Sequence, residues 1–174
     1  MRIQTLAAGV LAAALVLPTA QAAAHPSRAP SKAPSKASSS ASERAERGAT
    51  VKPRSDAWEA KVLKLTNARR KAHGVPPLKA GKCPDHFAES WTRHMARTHD
   101  FEHQSLDPFF GCANVHTAGE NIAFGYETPQ ALVSGWMHSP GHRANILNRH
   151  FHRIGVSGWR DTGGRTYATQ DFIG

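Results

Sequence analysis

The segment of residues 25–55 constrains this chain most, because it cannot build a folded core. It is dominated by Ala, Pro, Ser, Lys and Arg and repeats the short pattern Ala-Pro-Ser-Lys. Such a sequence buries too little apolar surface to offset the entropy lost on ordering. We therefore predict a disordered basic linker over residues 25–55 and one folded domain over residues 56–174.

Residues 1–24 have the features of a cleaved export signal. Arg2 precedes an unbroken run of Ala, Gly, Val and Leu over residues 6–17, and a small-x-small cleavage pattern ends at Ala22. The apolar run has 12 residues, fewer than the roughly 18 that a spanning helix needs. No other stretch is apolar enough to cross a bilayer. We expect a secreted protein without a transmembrane segment after cleavage.

Cys83 and Cys112 are the only cysteines. An exported chain reaches an oxidising compartment, so we expect them to form one disulfide. The competing interpretation, a pair of metal ligands, is weak because neither has a second Cys two to four residues away.

The formal net charge is +9, and the linker is more densely basic than the folded domain taken as a whole. Anionic polymers of the cell envelope are therefore expected partners of the linker, and a solvated tether is the alternative. We find no phosphate-binding glycine loop, no dinucleotide fingerprint and no specific nucleic-acid module.

Apolar periodicity predicts helices first and strands last. Helix signals cover residues 56–73, 84–98, 128–138 and 139–147, and the first helix has Asp56 and Glu59 in capping-box spacing. Residues 104–119 have the composition of a loop. Strand patterns cover residues 154–159 and 165–173, with a hairpin turn at 161–164. This order predicts an α+β domain with helices packed on an antiparallel sheet.

Three short motifs carry most of the functional information: Phe101-Glu102-His103, Gly119-Glu120-Asn121-Ile122-Ala123, and residues 136–147, which read WMHSPGHRANIL. Asn67-Ala68-Arg69-Arg70 precedes them and Thr169-Gln170-Asp171-Phe172 follows. Together, in this order and spacing, they resemble the bacterial branch of the CAP (SCP-like) superfamily, which groups cysteine-rich secretory, antigen 5 and pathogenesis-related 1 proteins. The resemblance covers residues 57–174 and implies a three-layer α-β-α sandwich with a central antiparallel sheet.

The resemblance also implies a cleft lined by His103, Glu120 and His142. The family's fullest version has a second Glu just after the Trp of the third motif, where this chain reads Trp136-Met137-His138-Ser139 and has no carboxylate. Two neutral imidazoles and a carboxylate suit Zn²⁺ or another divalent metal, so His103 and His142 are candidate ligands and Glu120 is a third. Glu120 is also the candidate catalytic base. A structural polar cluster and metal-free acid–base chemistry are the alternatives.

Three functions follow from these patterns. The leading one is an extracellular or cell-envelope binding module for a small molecule or a lipid. The second is a metal-dependent hydrolase that acts on peptide or nucleic-acid bonds. In the third, the basic linker binds the envelope and the cleft has no role. Whether the chain is an enzyme stays open, and we expect a monomer.

Overall fold

The computed structural model describes residues 50–174. The predicted export signal and the predicted linker up to residue 49 lie outside the described residues. The helices are α1 (Asp56–Ala72), α2 (Lys82–Thr98), α3 (Pro129–His138) and α4 (Pro140–Leu147), with a 3₁₀ helix at Asp107–Gly111. The strands are β1 (Lys52–Pro53), β2 (Lys79–Ala80), β3 (Ala118–Phe124), β4 (Arg153–Arg160) and β5 (Thr166–Ile173). Within residues 50–174, no helix combines the length and the apolar character that crossing a membrane requires.

The strands form one sheet in the order β1-β4-β5-β3, and β2 runs parallel to the start of β4. The predicted hairpin is confirmed as β4 and β5, which pair antiparallel over their whole length. β1 falls inside the segment predicted as linker, because Lys52 and Pro53 pair with the end of β4. Ordered structure therefore begins a few residues before the predicted boundary.

β3 is a strand that the sequence patterns did not predict. Gly, Glu and Asn are poor strand formers, so propensity gives this segment little signal. It is extended because it pairs antiparallel with β5 from Ala118↔Ile173 to Phe124↔Tyr167. Pairing with β5 thus places the second motif on β3, at one edge of the described sheet.

Helices cover both faces of the sheet, which confirms the predicted three-layer α-β-α sandwich. On one face, α1, α3 and α4 bury a core that includes Trp58, Val62, Leu132, Trp136, Ile146 and Phe172. On the other face, α2 packs Met95 and Ala96 against Ile122, Trp159 and Tyr167. α2 approaches β4 so closely that a Cβ at Gly155 would overlap the backbone of Pro84 and Asp85.

The first helix begins one residue earlier than the predicted capping box. Ser55 is its N-cap and accepts a hydrogen bond from Trp58 N, so Asp56 is already helical. Glu59 instead accepts a hydrogen bond from Gly158 N on β4 at 3.0 Å. α1 ends at Ala72, and Gly74, as expected for a helix stop, has a positive φ of 65°.

Candidate functional site

The candidate site lies along β3, where the loop after α2 comes near α4. The side chains of Glu120 and Asn121 point to opposite faces of the sheet, as successive residues of a strand do. Glu120 meets the loop that follows α2, through His103 and Gln104. Asn121 faces α4 and donates through Nδ2 to the His142 carbonyl at 3.1 Å. One strand thus connects the two layers that carry the predicted histidines.

His103 and Glu120 form a short hydrogen bond. His103 Nδ1 and Glu120 Oε1 are 2.6 Å apart, although the His103 side chain is 60% exposed and that of Glu120 only 2%. An ionised carboxylate only accepts hydrogen bonds, so Nδ1 carries the hydrogen in this pair. Nε2 of His103 has no hydrogen-bond partner among residues 50–174. The buried carboxylate therefore orients a largely exposed imidazole and leaves its second nitrogen for a ligand.

Gln104 holds Glu120 against a second carboxyl group, that of Asp171. Its side-chain Nε2 lies 2.7 Å from Glu120 Oε2 and 3.0 Å from Asp171 Oδ2, and its backbone N lies 3.3 Å from Glu120 Oε1. Glu120 and Asp171 are paired residues on β3 and β5. Both oxygens of Glu120 thus accept hydrogen bonds from neighbouring residues.

Burial raises the pKa values of both carboxyl groups. For Glu120 the hydrogen bonds from Gln104 and His103 oppose the effect, and the pKa still lies above its ordinary value. For Asp171, burial and the charge of Glu120 raise the pKa to about 9, so this carboxyl is protonated at neutral pH. The pair therefore carries less negative charge than its two acidic residues suggest.

His142 lies at the start of α4, in surroundings that favour the neutral form of its ring. Burial lowers its pKa, and the charge of nearby His103 lowers it further. A neutral imidazole can ligate a metal or accept a proton. The structure thus brings His103 and Glu120 into direct contact, and His142 lies near enough to His103 for the charge of His103 to lower its pKa.

The outer edge of β3 is covered by side chains of the third motif. Asn145 Nδ2 donates to the Glu120 carbonyl at 2.9 Å and to Asn121 Oδ1 at 3.0 Å. Trp136 Nε1 donates to the Ile122 carbonyl at 3.2 Å. These bonds satisfy backbone acceptors that an edge strand would otherwise expose. They also fix α3 and α4, and hence His142, relative to Glu120.

Arg70 anchors the far end of α4. Its guanidinium is fully buried and donates to four backbone carbonyls, those of Pro76, Ile146, Asn148 and Phe151. The carbonyls of Ile146 and Asn148 lie at the C-terminal end of α4, where the helix dipole favours a cation. Arg70 thus joins α1 to the turn that carries the chain from α4 into β4.

The predicted disulfide between Cys83 and Cys112 is confirmed. It links the first turn of α2 to the end of the 3₁₀ helix, with a sequence separation of 29 residues. His103 and Gln104 lie within the loop that it closes. Trp91 Nε1 gives this loop a second attachment by donating to the Glu102 carbonyl at 2.9 Å.

His138 and Ser139, in the stretch where the family's second Glu is missing, have other contacts. His138 Nδ1 lies 2.7 Å from the Ser134 carbonyl, one turn back on its own helix. Ser139 is the N-cap of α4 without a side-chain capping bond. Within the described chain, no group of three or more His, Cys, Asp or Glu side chains is arranged to hold a metal ion.

Sequence reasoning gave no role to Gln104 or Asp171. One feature of the sequence could have pointed to Asp171: it is the only charged residue in the strand TYATQDFI. All eight residues of this strand are buried. Gln104 follows His103 directly, but its spacing to Glu120 and Asp171 carries no recognisable pattern.

Comparison with known proteins identifies the family. The CAP family model, described as the cysteine-rich secretory protein family, matches residues 63–172. The chain is 43% identical over 126 residues to YkwD of Bacillus subtilis, named as an uncharacterised protein, covering 68% of this chain and 48% of the relative. The chain belongs to the CAP family, as the motifs indicated.

Two solved bacterial structures share the fold. An extracellular SCP-domain protein of Bacillus anthracis is 29% identical with a TM-score of 0.57, covering 68% of this chain and 40% of that one. A cysteine-rich secretory protein of Staphylococcus aureus is 25% identical with a TM-score of 0.56, covering 67% and 38%. The chain thus spans about half the length of its curated relative and about two fifths of these solved chains.

Proposed function

We propose that this chain is an exported binding domain that holds a ligand through the imidazoles of His103 and His142. The observation that carries this proposal is the 2.6 Å hydrogen bond from His103 Nδ1 to buried Glu120. A ligating histidine commonly donates its other ring N–H to a carboxylate, which fixes its tautomer and orientation. Glu120 therefore positions His103, and the ligand binds at Nε2.

A divalent metal such as Zn²⁺ is the first ligand to test, because neutral imidazole nitrogens are among its preferred donors. His103 and His142 would hold it. Glu120 is the less accessible donor, because its side chain is only 2% exposed and both of its oxygens already accept hydrogen bonds. The remaining coordination positions would fall to water or to a polar group of a second ligand.

Zinc titration by calorimetry tests the proposal on the chain of residues 25–174. His103→Ala/His142→Ala removes both donors, and His150→Ala/His152→Ala is a matched control that removes two exposed histidines elsewhere. We expect one-to-one binding that the first variant loses and the control keeps. Equal binding by all three proteins, or none by the parent, would overturn a zinc site and leave lipids and small molecules to be screened.

Metal-dependent hydrolysis is the second candidate function, and the lowered pKa of His142 favours it. A bound metal would supply a water of lowered pKa. His142 is already a donor to that metal, so Glu120 is the candidate base, although both of its oxygens accept hydrogen bonds. Cleavage of peptide or single-stranded DNA substrates should then fail in His142→Ala and in the presence of a chelator. Turnover that survives both would exclude this mechanism.

A further inference from the structure

The distribution of charge along the sequence is uneven. Residues 60–84 contain seven Lys or Arg and no Asp or Glu, and residues 128–160 contain four Arg and no Asp or Glu. The acidic residues of the folded domain lie outside these two segments. A surface built from both segments is therefore positively charged.

The fold brings the two segments together. Arg143 Nη2 lies 3.4 Å from His73 Nε2, and Arg149 Nη2 donates to the Gly74 carbonyl at 2.8 Å. Lys71 and Arg69, in the last turn of α1, extend the same region. We define the basic face as Arg69, Lys71, His73, Arg143 and Arg149, all of which are exposed.

The cations of the basic face are not neutralised by neighbouring carboxylates. The ion pairs among residues 50–174 involve Arg54, Arg160, Arg165, His99 and His103. No member of the basic face pairs with a carboxylate of the described residues. Its positive potential is thus available to an anionic partner.

The kind of partner follows from the shape and composition of the face. Its cations are exposed and spread over two elements, so they suit an extended polyanion better than a single small anion. The large exposed apolar side chains of the described domain, Phe101, Phe110, Phe124 and Tyr126, all lie elsewhere. The face therefore offers no strongly exposed aromatic ring for stacking nucleic-acid bases. The apolar side chains that line a cleft beside Arg143, those of Met137, Pro140, Ala144 and Leu147, are not among the large exposed groups that would anchor a membrane.

We propose that the basic face binds a linear phosphate-bearing polymer that has no bases, such as an anionic polymer of a cell envelope. This surface is distinct from the linker, and binding here requires no ligand at His103 or His142. Its affinity comes from release of counterions and falls steeply with salt.

Fluorescence anisotropy of labelled long-chain polyphosphate, titrated with the chain of residues 25–174 at several salt concentrations, tests the proposal. Lys71→Gln/Arg143→Gln removes two charges from the basic face. Lys82→Gln/Arg97→Gln is the control, because it removes two exposed charges from α2. It therefore has the same net charge and the same linker as the basic-face variant.

We expect the basic-face variant to lose about fivefold or more in affinity at about 0.1 M salt. The slope of log affinity against log salt concentration should fall by about 1.4–1.8, since two charges are removed. The control should stay within about twofold of the parent. Equal losses in both variants would overturn the proposal, because affinity would then follow net charge or the linker alone. Absence of polyphosphate binding, or tighter binding of phosphatidylglycerol vesicles or oligothymidylate at equal phosphate, would overturn it too.

Discussion

Glu120 and Asp171 stand opposite each other on β3 and β5, and one side-chain amide, that of Gln104, donates to both carboxyl groups. Two buried carboxyls so close together are costly to ionise at once. The pair therefore keeps a proton at neutral pH, and the raised pKa of Asp171 identifies that residue as its carrier. Glu120, the other member of the pair, accepts the hydrogen bond from His103 Nδ1 and orients that ring.

The first prediction concerns the proton on Asp171. An unfolded Asp releases its proton near pH 4, whereas the folded state keeps it up to about pH 9. The stability contributed by this group is therefore fully present below about pH 4 and is lost as the pH rises through about 9. Asp171→Asn removes the titration. Its free energy of unfolding in urea should rise relative to the parent between about pH 6 and pH 9, and a difference that stays constant would contradict this.

The second prediction concerns the tautomer of His103. Because Nδ1 donates to Glu120, neutral His103 should carry its hydrogen on Nδ1, which ¹⁵N NMR of the ring distinguishes. Glu120→Ala removes the acceptor and should shift the population toward the Nε2–H form. Glu120→Gln keeps a carbonyl acceptor and should shift it less. An Nε2–H tautomer in the parent chain would contradict the role of Glu120.

Arg70 gives a prediction on stability. Lys in place of Arg70 cannot reach all four carbonyls that the buried guanidinium satisfies, so Arg70→Lys should lower the free energy of unfolding by about 2–4 kcal/mol. Arg69→Lys is the adjacent control, because Arg69 is exposed, and it should change stability by less than about 0.5 kcal/mol. Similar effects of the two substitutions would show that Arg70 does not anchor α4.

The disulfide should stabilise both the fold and the site loop. For a loop of roughly 30 residues, the chain-entropy model gives about 3–4 kcal/mol. Cys83→Ser/Cys112→Ser should lose up to that amount in urea unfolding and show faster hydrogen exchange around His103 and Gln104. Reduction of the parent chain should reproduce both effects. Unchanged exchange in this loop would mean that Trp91 and Glu120 hold it without the disulfide.

Glu59 supplies a pH prediction away from the site. Burial, which outweighs its hydrogen bond from Gly158 N, raises the pKa of Glu59 to about 7, with Glu89 and Asp85 adding to the rise. Its contribution to stability is full below about pH 4 and is lost as the pH rises through 7. Glu59→Gln should therefore be more stable than the parent above pH 7, measured by urea unfolding. Exposed Glu102→Gln is the control, and equal gains in the two variants would point to net charge instead.

Local signals explain which elements the sequence predicted well. Gly74 ends α1, and Pro129 and Pro140 open α3 and α4, because each acts on its own backbone. Glu59 shows the limit of such signals: its spacing suggested a cap, yet it bonds to Gly158, 99 residues away. β3 was missed for a related reason, since only its pairing with β5 makes it a strand.

The sequence by itself predicted the helices, the final hairpin and the disulfide, and its motifs indicated the family and the candidate residues His103, Glu120 and His142. Only the tertiary structure decided what these residues touch. Gln104 lies 67 residues before Asp171, and no local pattern encodes their contact. Burial also depends on the packed fold, so the raised pKa of Asp171 and the lowered pKa of His142 follow from layers that assemble around β3. The candidate site residues thus lie in short motifs, whereas their geometry and the shifts of their pKa values arise from contacts between distant segments.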